Sequence, residues 1–185
     1  MSVKSGCPNR LKKLLKSLYK VLRLVALHSV CFLTLLSLHA ETLHGRVVHV
    51  ADGDTLTILN VRNEQTKIRL AGIDAPEKAQ AFGQRAKEHL TGLVQGKEVR
   101  VETTKKDKYG RQVGQVLLNE TDVNLSQLRA GLAWFYRLYE QELTVELRGS
   151  YAQAEQEARV ARLGLWRDDE PVAPWVWRHR GRVEK

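Results

Sequence analysis

The sequence predicts an α+β fold: a small five-stranded β-barrel with about three helices packed on it, preceded by an N-terminal signal or anchor segment. Three observations predict it. Apolar and polar residues alternate in short runs between residues 43 and 71, broken by turn residues. From Ala79 the period changes to that of a helix. Two further alternating runs follow, and then two more stretches with helical spacing.

LHGRVVHV (43–50) and LTILNV (56–61) are β-rich runs flanking Asp52-Gly53, which reads as a hairpin turn. Asn63-Glu64-Gln65 is a second turn, and Lys67 to Ala71 a third strand, so the chain begins as an antiparallel meander. Phe82, Ala86, Leu90 and Leu93/Val94 fall on one helical stripe, with Gln84, Arg85, Lys87 and Glu88 outside it. Pro76 suits the entry to this helix, and Gly92 and Gly96 lie near its end. KEVRVET (97–103) alternates again. KKDKYGRQ turns around Tyr109-Gly110, and Val113 to Leu118 is a fifth strand. A short helix covers Val123 to Ala130, with Asp122 or Asn124 as caps and Gly131 at its end. A longer one covers 142–163 and stops at Gly164. Such an order fits a barrel of the OB type. The tail, with Pro171, Pro174, Trp175 and Trp177, ends in a basic stretch expected to be loosely ordered.

The 185 residues are enough for one domain and an extension: a leader over 1–40, a folded domain over 41–167 and a Trp/Arg-containing tail over 168–185. The net charge is +9, but it is unevenly spread. Lys4, Arg10, Lys12, Lys13, Lys16, Lys20 and Arg23 fall in the leader, which has no acids. Removing those 7 from 30 leaves 23 basic against 21 acidic side chains elsewhere. Most of the basicity therefore belongs to the leader, and the whole-chain charge overstates any nucleic-acid signal. The leader's basic region is followed by an apolar run from Leu24 to Leu38, short for a membrane span and suited to a signal-peptide core, with Ala40 at the cleavage position. This predicts export to the periplasm or the extracellular space. The alternative is an uncleaved, outward-facing signal anchor that tethers the domain to the membrane. Both cysteines, Cys7 and Cys31, lie in the leader, so the cleaved product has neither a disulfide nor a thiolate metal site.

The chemistry concentrates in IRLAGIDAPE (68–77), where Arg69, Gly72, Asp74, Pro76 and Glu77 crowd together. Singly, each candidate has an ordinary reading. Asp52-Gly53-Asp54 is a turn, Asp74 and Glu77 are helix-start acids, DKYGR (107–111) is a charged turn, and Trp134, Phe135 and Tyr136 are core. Together they read differently. An antiparallel barrel brings the first hairpin to the end of the third strand, so Asp54, Asp74 and Glu77 can share a pocket with two arginines. Three carboxylates repel unless a cation joins them, and arginine gives planar recognition of phosphate. Metal, carboxylate and two arginines suit attack of water on a phosphodiester.

DGDT (52–55), IRLAGIDAPE (68–77), FGQRAKEHL (82–90), DKYGR (107–111) and GLW (164–166) resemble the thermonuclease family of staphylococcal-nuclease-like proteins, over roughly residues 43–167 and in the same order. The resemblance implies the OB barrel and hydrolysis of DNA and RNA with Ca²⁺, leaving 3′-phosphate ends. It implies Asp54, Asp74 and the Ala75 carbonyl as metal ligands and Asp52 as an outer-shell carboxylate. Arg69 and Arg111 match the phosphate-binding arginines, and Glu77 the residue that activates water. Lys108 and Tyr109 match positions near a terminal phosphate, and Trp134 and Tyr136 the aromatic lining of the nucleotide site. Ala75 stands where threonine is more familiar, Trp134 where a tyrosine is, and the segment after Glu77 is shorter than the mobile loop of the best-known members.

The expected activity is that of a Ca²⁺-dependent endonuclease, with Mg²⁺ or Mn²⁺ also compatible with hard carboxylate ligands. DNA and RNA are the expected partners, no obligate protein partner is implied, and a monomer is expected. The alternative is a non-catalytic nucleic-acid-binding OB module; the intact charged set weighs against it.

Overall fold

A computed structural model describes residues 18, 19 and 41–183. Leu18 and Tyr19 are helical. The expected leader core and its cleavage near Ala40 lie outside the described residues. Among the described residues, no helix is long and apolar enough to cross a membrane.

Strands β1 (Glu41–Val50), β2 (Thr55–Leu59) and β3 (Gln65–Leu70) form the expected meander. β1 pairs antiparallel with β2 through Val47↔Ile58 and Val50↔Leu56, across an irregularity between Val47 and His49. β2 pairs with β3 through Thr55↔Arg69 and Ile58↔Thr66. A two-residue strand, β4 (Ile73–Asp74), follows the turn at Gly72. The N-terminal half of β1 pairs with β5 (Glu98–Lys106), and β5 with β6 (Gln112–Leu118). The sheet closes where β6 returns parallel to β3, at Ile68↔Gln112, Arg69↔Val113 and Leu70↔Gly114. Five strands thus form the closed OB-type barrel, with a short β7 (Thr121–Asp122) on β6 and β8 (Trp134–Phe135) on β4. Closure leaves no long open edge.

Four helices lie against it. In α1 (Gly83–Val94), Ala86, Leu90 and Val94 recur every four residues and are buried, as the periodicity predicts. α2 (Val123–Arg129) starts at Asp122, whose carboxylate accepts the Leu125 N–H at 2.9 Å. α3 (Val145–Val160) is capped by Thr144, and its small Ala154 and Ala158 allow close approach to the body. The core joins Val47, Leu56, Ile68, Val101 and Val116 of the barrel to Leu90, Leu128 and Tyr151 of the helices.

Three expectations are corrected. Pro76 does not open α1: turns occupy the residues before Gly83, and Phe82 at φ 66° reverses the chain just ahead of the helix. Nor is the described part of the tail loosely ordered. Residues Pro174–Val183 form a fourth helix, α4, with Pro174 at the first position, where its missing N–H costs nothing. The long helix is also shorter than 142–163, because Arg137–Glu142 forms a separate 3-10 turn before it.

Candidate active site

Asp54 ends the β1–β2 turn. Its own N–H donates to the Asp52 carboxylate at 3.1 Å, which supports the turn reading of this motif. Asp54 Oδ2 accepts the Ala75 N–H at 2.6 Å, and Oδ1 accepts the Thr55 hydroxyl at 3.1 Å and pairs with Arg69. Arg69 stands opposite Thr55 on β3 and also reaches Asp74 Oδ1, at 2.7 Å. β4 carries Asp74 inward to 1 % exposure, held from the other side by the pairing of Asp74 with Trp134. Glu77 follows three residues on, its side chain 41 % exposed. Arg111 stands just before β6, beside the closure of the barrel.

These groups line one cavity of about 690 Å³: Asp52, Asp54, Arg69, Asp74, Ala75, Glu77, Lys108, Tyr109, Arg111 and Tyr136 all face it. Trp134 does not. It packs edge-on against Trp166 and Trp175, at 4.5 and 5.6 Å between ring centroids, under the guanidinium of Arg159. Tyr136 lies in the cavity wall with its ring 5.3 Å from that of Trp175. Tyr109 is exposed, with Lys108 and Arg111 over its ring.

Crowded carboxylates shape the electrostatics. Burial, helped by the charge of Asp54, pushes the Asp52 carboxyl up to about 6. Burial also raises Asp74, against the pull of Arg178 and Arg69. For Arg69, burial opposes the charge, but Asp54 and Asp74 outweigh it and hold the guanidinium above its ordinary value.

Sequence reasoning missed several residues of this site. Asp107 turns Arg111: its Oδ1 accepts the Arg111 N–H at 2.9 Å and its Oδ2 the Nε at 2.7 Å. Arg111 Nη1 reaches the Thr55 hydroxyl at 3.4 Å, which links the later turn to Asp54. Arg178, on α4, donates to Asp74 Oδ2 and to Glu77 Oε1, both at 2.7 Å. The signal for Arg178 was its spacing: Trp175 and Arg178, three apart after Pro174, fall on one face of a helix.

Among the described residues, no group of three or more His, Cys, Asp or Glu side chains is arranged to hold a metal ion. Asp54 and Asp74 are nonetheless bridged by one guanidinium, and both face the cavity with Ala75. Two carboxylates and a carbonyl form an all-oxygen set that fits a hard cation which completes its six to eight ligands with water and substrate.

The family described as staphylococcal nuclease homologue matches residues 67–168. An uncharacterized endonuclease of Haemophilus influenzae is 41 % identical over 138 residues, covering 75 % of this chain and 74 % of that protein. One of Escherichia coli O157:H7 is 42 % identical over 139 residues, or 75 % of this chain and 86 % of the relative. A micrococcal nuclease of Shigella flexneri is 39 % identical over 143 residues, or 72 % of this chain and 79 % of that protein.

Proposed function

The chain belongs to the staphylococcal nuclease family, and from that premise we propose that it is an endonuclease hydrolysing phosphodiester bonds of DNA and RNA with a divalent cation, Ca²⁺ in the first instance. The observation that carries this reading is the convergence of Asp54, Arg69, Asp74, Glu77 and Arg111 on one cavity, from three separate parts of the chain. A purely structural site has no use for two arginines beside an exposed glutamate.

Glu77 is the general base. Its half-exposed carboxylate takes a proton from water as the water oxygen bonds to phosphorus and the bond to the leaving oxygen breaks. Arg69 and Arg111 bind the phosphate and meet the charge that grows on it. Arg111 spends Nε on Asp107 and Nη1 on Thr55, which leaves Nη2 for a phosphate oxygen. Asp54, Asp74 and the Ala75 carbonyl would hold the cation, with Asp52 as an outer carboxylate. When bound, the cation supplies positive charge to the same phosphate. Lys108, Tyr109 and Tyr136 line the same cavity and would bound the nucleotide there.

The test is hydrolysis of single- and double-stranded DNA and of RNA by the purified chain across Ca²⁺, Mg²⁺ and Mn²⁺. We expect cleavage that a chelator stops. Glu77→Gln is expected to lower kcat about 10²–10⁴-fold, and Arg69→Ala or Arg111→Ala about 10²–10³-fold. Full activity under chelation would remove the cation from the mechanism. Tight retention of nucleic acid without products would make the chain a binding module.

A further inference from the structure

We infer that the C-terminal segment from Val172 to Arg178 is a positioning device for Glu77, with Arg178 as the residue that does the holding. The inference rests on the reading of Glu77 as general base, and it concerns a part of the chain beyond the matched residues 67–168.

Two connections reach Glu77 from this segment. Arg178 Nη1 donates to Glu77 Oε1 at 2.7 Å and to Asp74 Oδ1 at 3.2 Å, while Nη2 donates to Asp74 Oδ2 at 2.7 Å. The Glu77 N–H donates to the buried side-chain carbonyl of Gln80 at 3.1 Å, and Gln80 Nε2 donates to the Val172 carbonyl at 2.6 Å. The segment thus grips Glu77 by both backbone and carboxylate. It is itself seated by Trp175, which lies against Trp134 and Tyr136.

Glu77 needs such a grip. It sits in a turn segment and its side chain is 41 % exposed. A free glutamate there would spread over several rotamers, which would have to be restricted at the moment of reaction. Asp74 is fixed by β4 and by burial. A guanidinium forked across Asp74 passes that rigidity to Glu77, because its planar donors set direction as well as distance. Pre-set geometry of this kind is what makes a reacting group effective. Arg178 is not a stopper in the site: beside it the cavity keeps about 690 Å³, with Arg69, Arg111, Tyr109 and Tyr136 still on its walls.

The experiment uses the full chain with Arg178→Ala, Arg178→Lys and Gln80→Ala, each also in a Glu77→Gln background. Steady-state kinetics on single-stranded DNA would be read beside thermal melting and calorimetric Ca²⁺ binding. We expect Arg178→Ala to lower kcat about 10–10²-fold and to change KM by less than about threefold. Added guanidinium ion should restore part of the loss, and Arg178→Lys should fall between wild type and Arg178→Ala. Gln80→Ala should act in the same direction. In the Glu77→Gln background none of these changes should cost anything further, since all act through Glu77. A kcat at or above wild type, with tighter Ca²⁺ binding, would overturn the inference and make Arg178 a competitor of the cation. An equal loss in the Glu77→Gln background would overturn it in favour of a direct phosphate contact. A wild-type chain inactive with every cation would overturn the nuclease reading itself, and this inference with it.

Discussion

Arg111 takes its direction from Asp107. Burial alone would raise that carboxyl, but the N–H and guanidinium of Arg111 and the N–H of Tyr109 together hold it below its ordinary value of 3.8. For an acid lowered in the folded state, the stabilisation is fully present above the ordinary value and fades as pH falls through the lowered one. The turn is therefore intact at every pH above about 4, and a neutral-pH defect in a variant reports on the bond rather than on titration. We expect Asp107→Asn to lower kcat about tenfold, as misaligned phosphate donors do, with the melting temperature nearly unchanged because the amide oxygen can still accept the Tyr109 and Arg111 N–H groups. A rate equal to wild type would show that Thr55 alone orients Arg111. At this scale the sequence was legible where partners are close in the chain: Asp74 and Glu77 stand three apart, and Arg69 five before Asp74. For Arg178 it offered only the helical spacing from Trp175 and not the partners, because a pairing across 104 or 101 residues leaves no local pattern.

Elements long enough to show a period were legible, and the barrel strands and α1 to α3 follow from alternation, helical stripes and turn residues. The two-residue pair β4–β8 has no period to read, yet it sets Asp74. The start of α1 was also hidden. Pro76 suggested a helix entry, but the chain first turns through Glu77 to Phe82, and Gly83 packs against that turn. A Cβ on Gly83 would lie 1.9 Å from the Glu77 carbonyl oxygen and 2.8 Å from its carbon. Elsewhere in a helix, exchanging glycine for alanine gains about 0.5–1 kcal/mol. Here the sign should reverse. Gly83→Ala is expected to destabilise the fold by about 1–3 kcal/mol and to depress kcat by shifting Glu77, measured by urea unfolding and by turnover of the same preparation. A stabilised variant with wild-type turnover would mean that the turn yields without moving the carboxylate.

Across the folded body, the site depends on how the barrel is closed, and buried amides of α2 make the joints. Gln127 Nε2 donates to the Gly53 carbonyl at 2.6 Å and to that of Ala86 at 3.0 Å, which ties the hairpin of Asp52 and Asp54 to α1. Asn124 was read as a candidate helix cap, a role that Asp122 fills. Asn124 is instead 0 % exposed. Its Oδ1 accepts the Val116 N–H at 3.1 Å, and its Nδ2 donates to the carbonyls of Ala71 at 3.0 Å and Gly114 at 3.3 Å. Those three backbone groups lie where β3 ends and β6 runs beside it, the parallel joint that closes the sheet. No side-chain pattern in the sequence marks that joint, because it is defined by backbone groups far apart along the chain. An apolar residue there fills the space but removes the partner of the Val116 N–H and of the Ala71 carbonyl, at about 1–3 kcal/mol for each group so stranded, while the Gly114 carbonyl still accepts the Ala71 N–H at 2.8 Å. Asn124→Leu should therefore cost about 3–4 kcal/mol, less than the sum because the joint can relax. Asn124→Asp keeps the acceptor for Val116 and loses both donors, so it should destabilise most above the carboxylate range and recover part of the loss in acid. Urea unfolding at pH 4 and pH 8 separates these cases. If both variants unfold at the wild-type midpoint, closure is carried by the apolar core alone and the site owes nothing to Asn124.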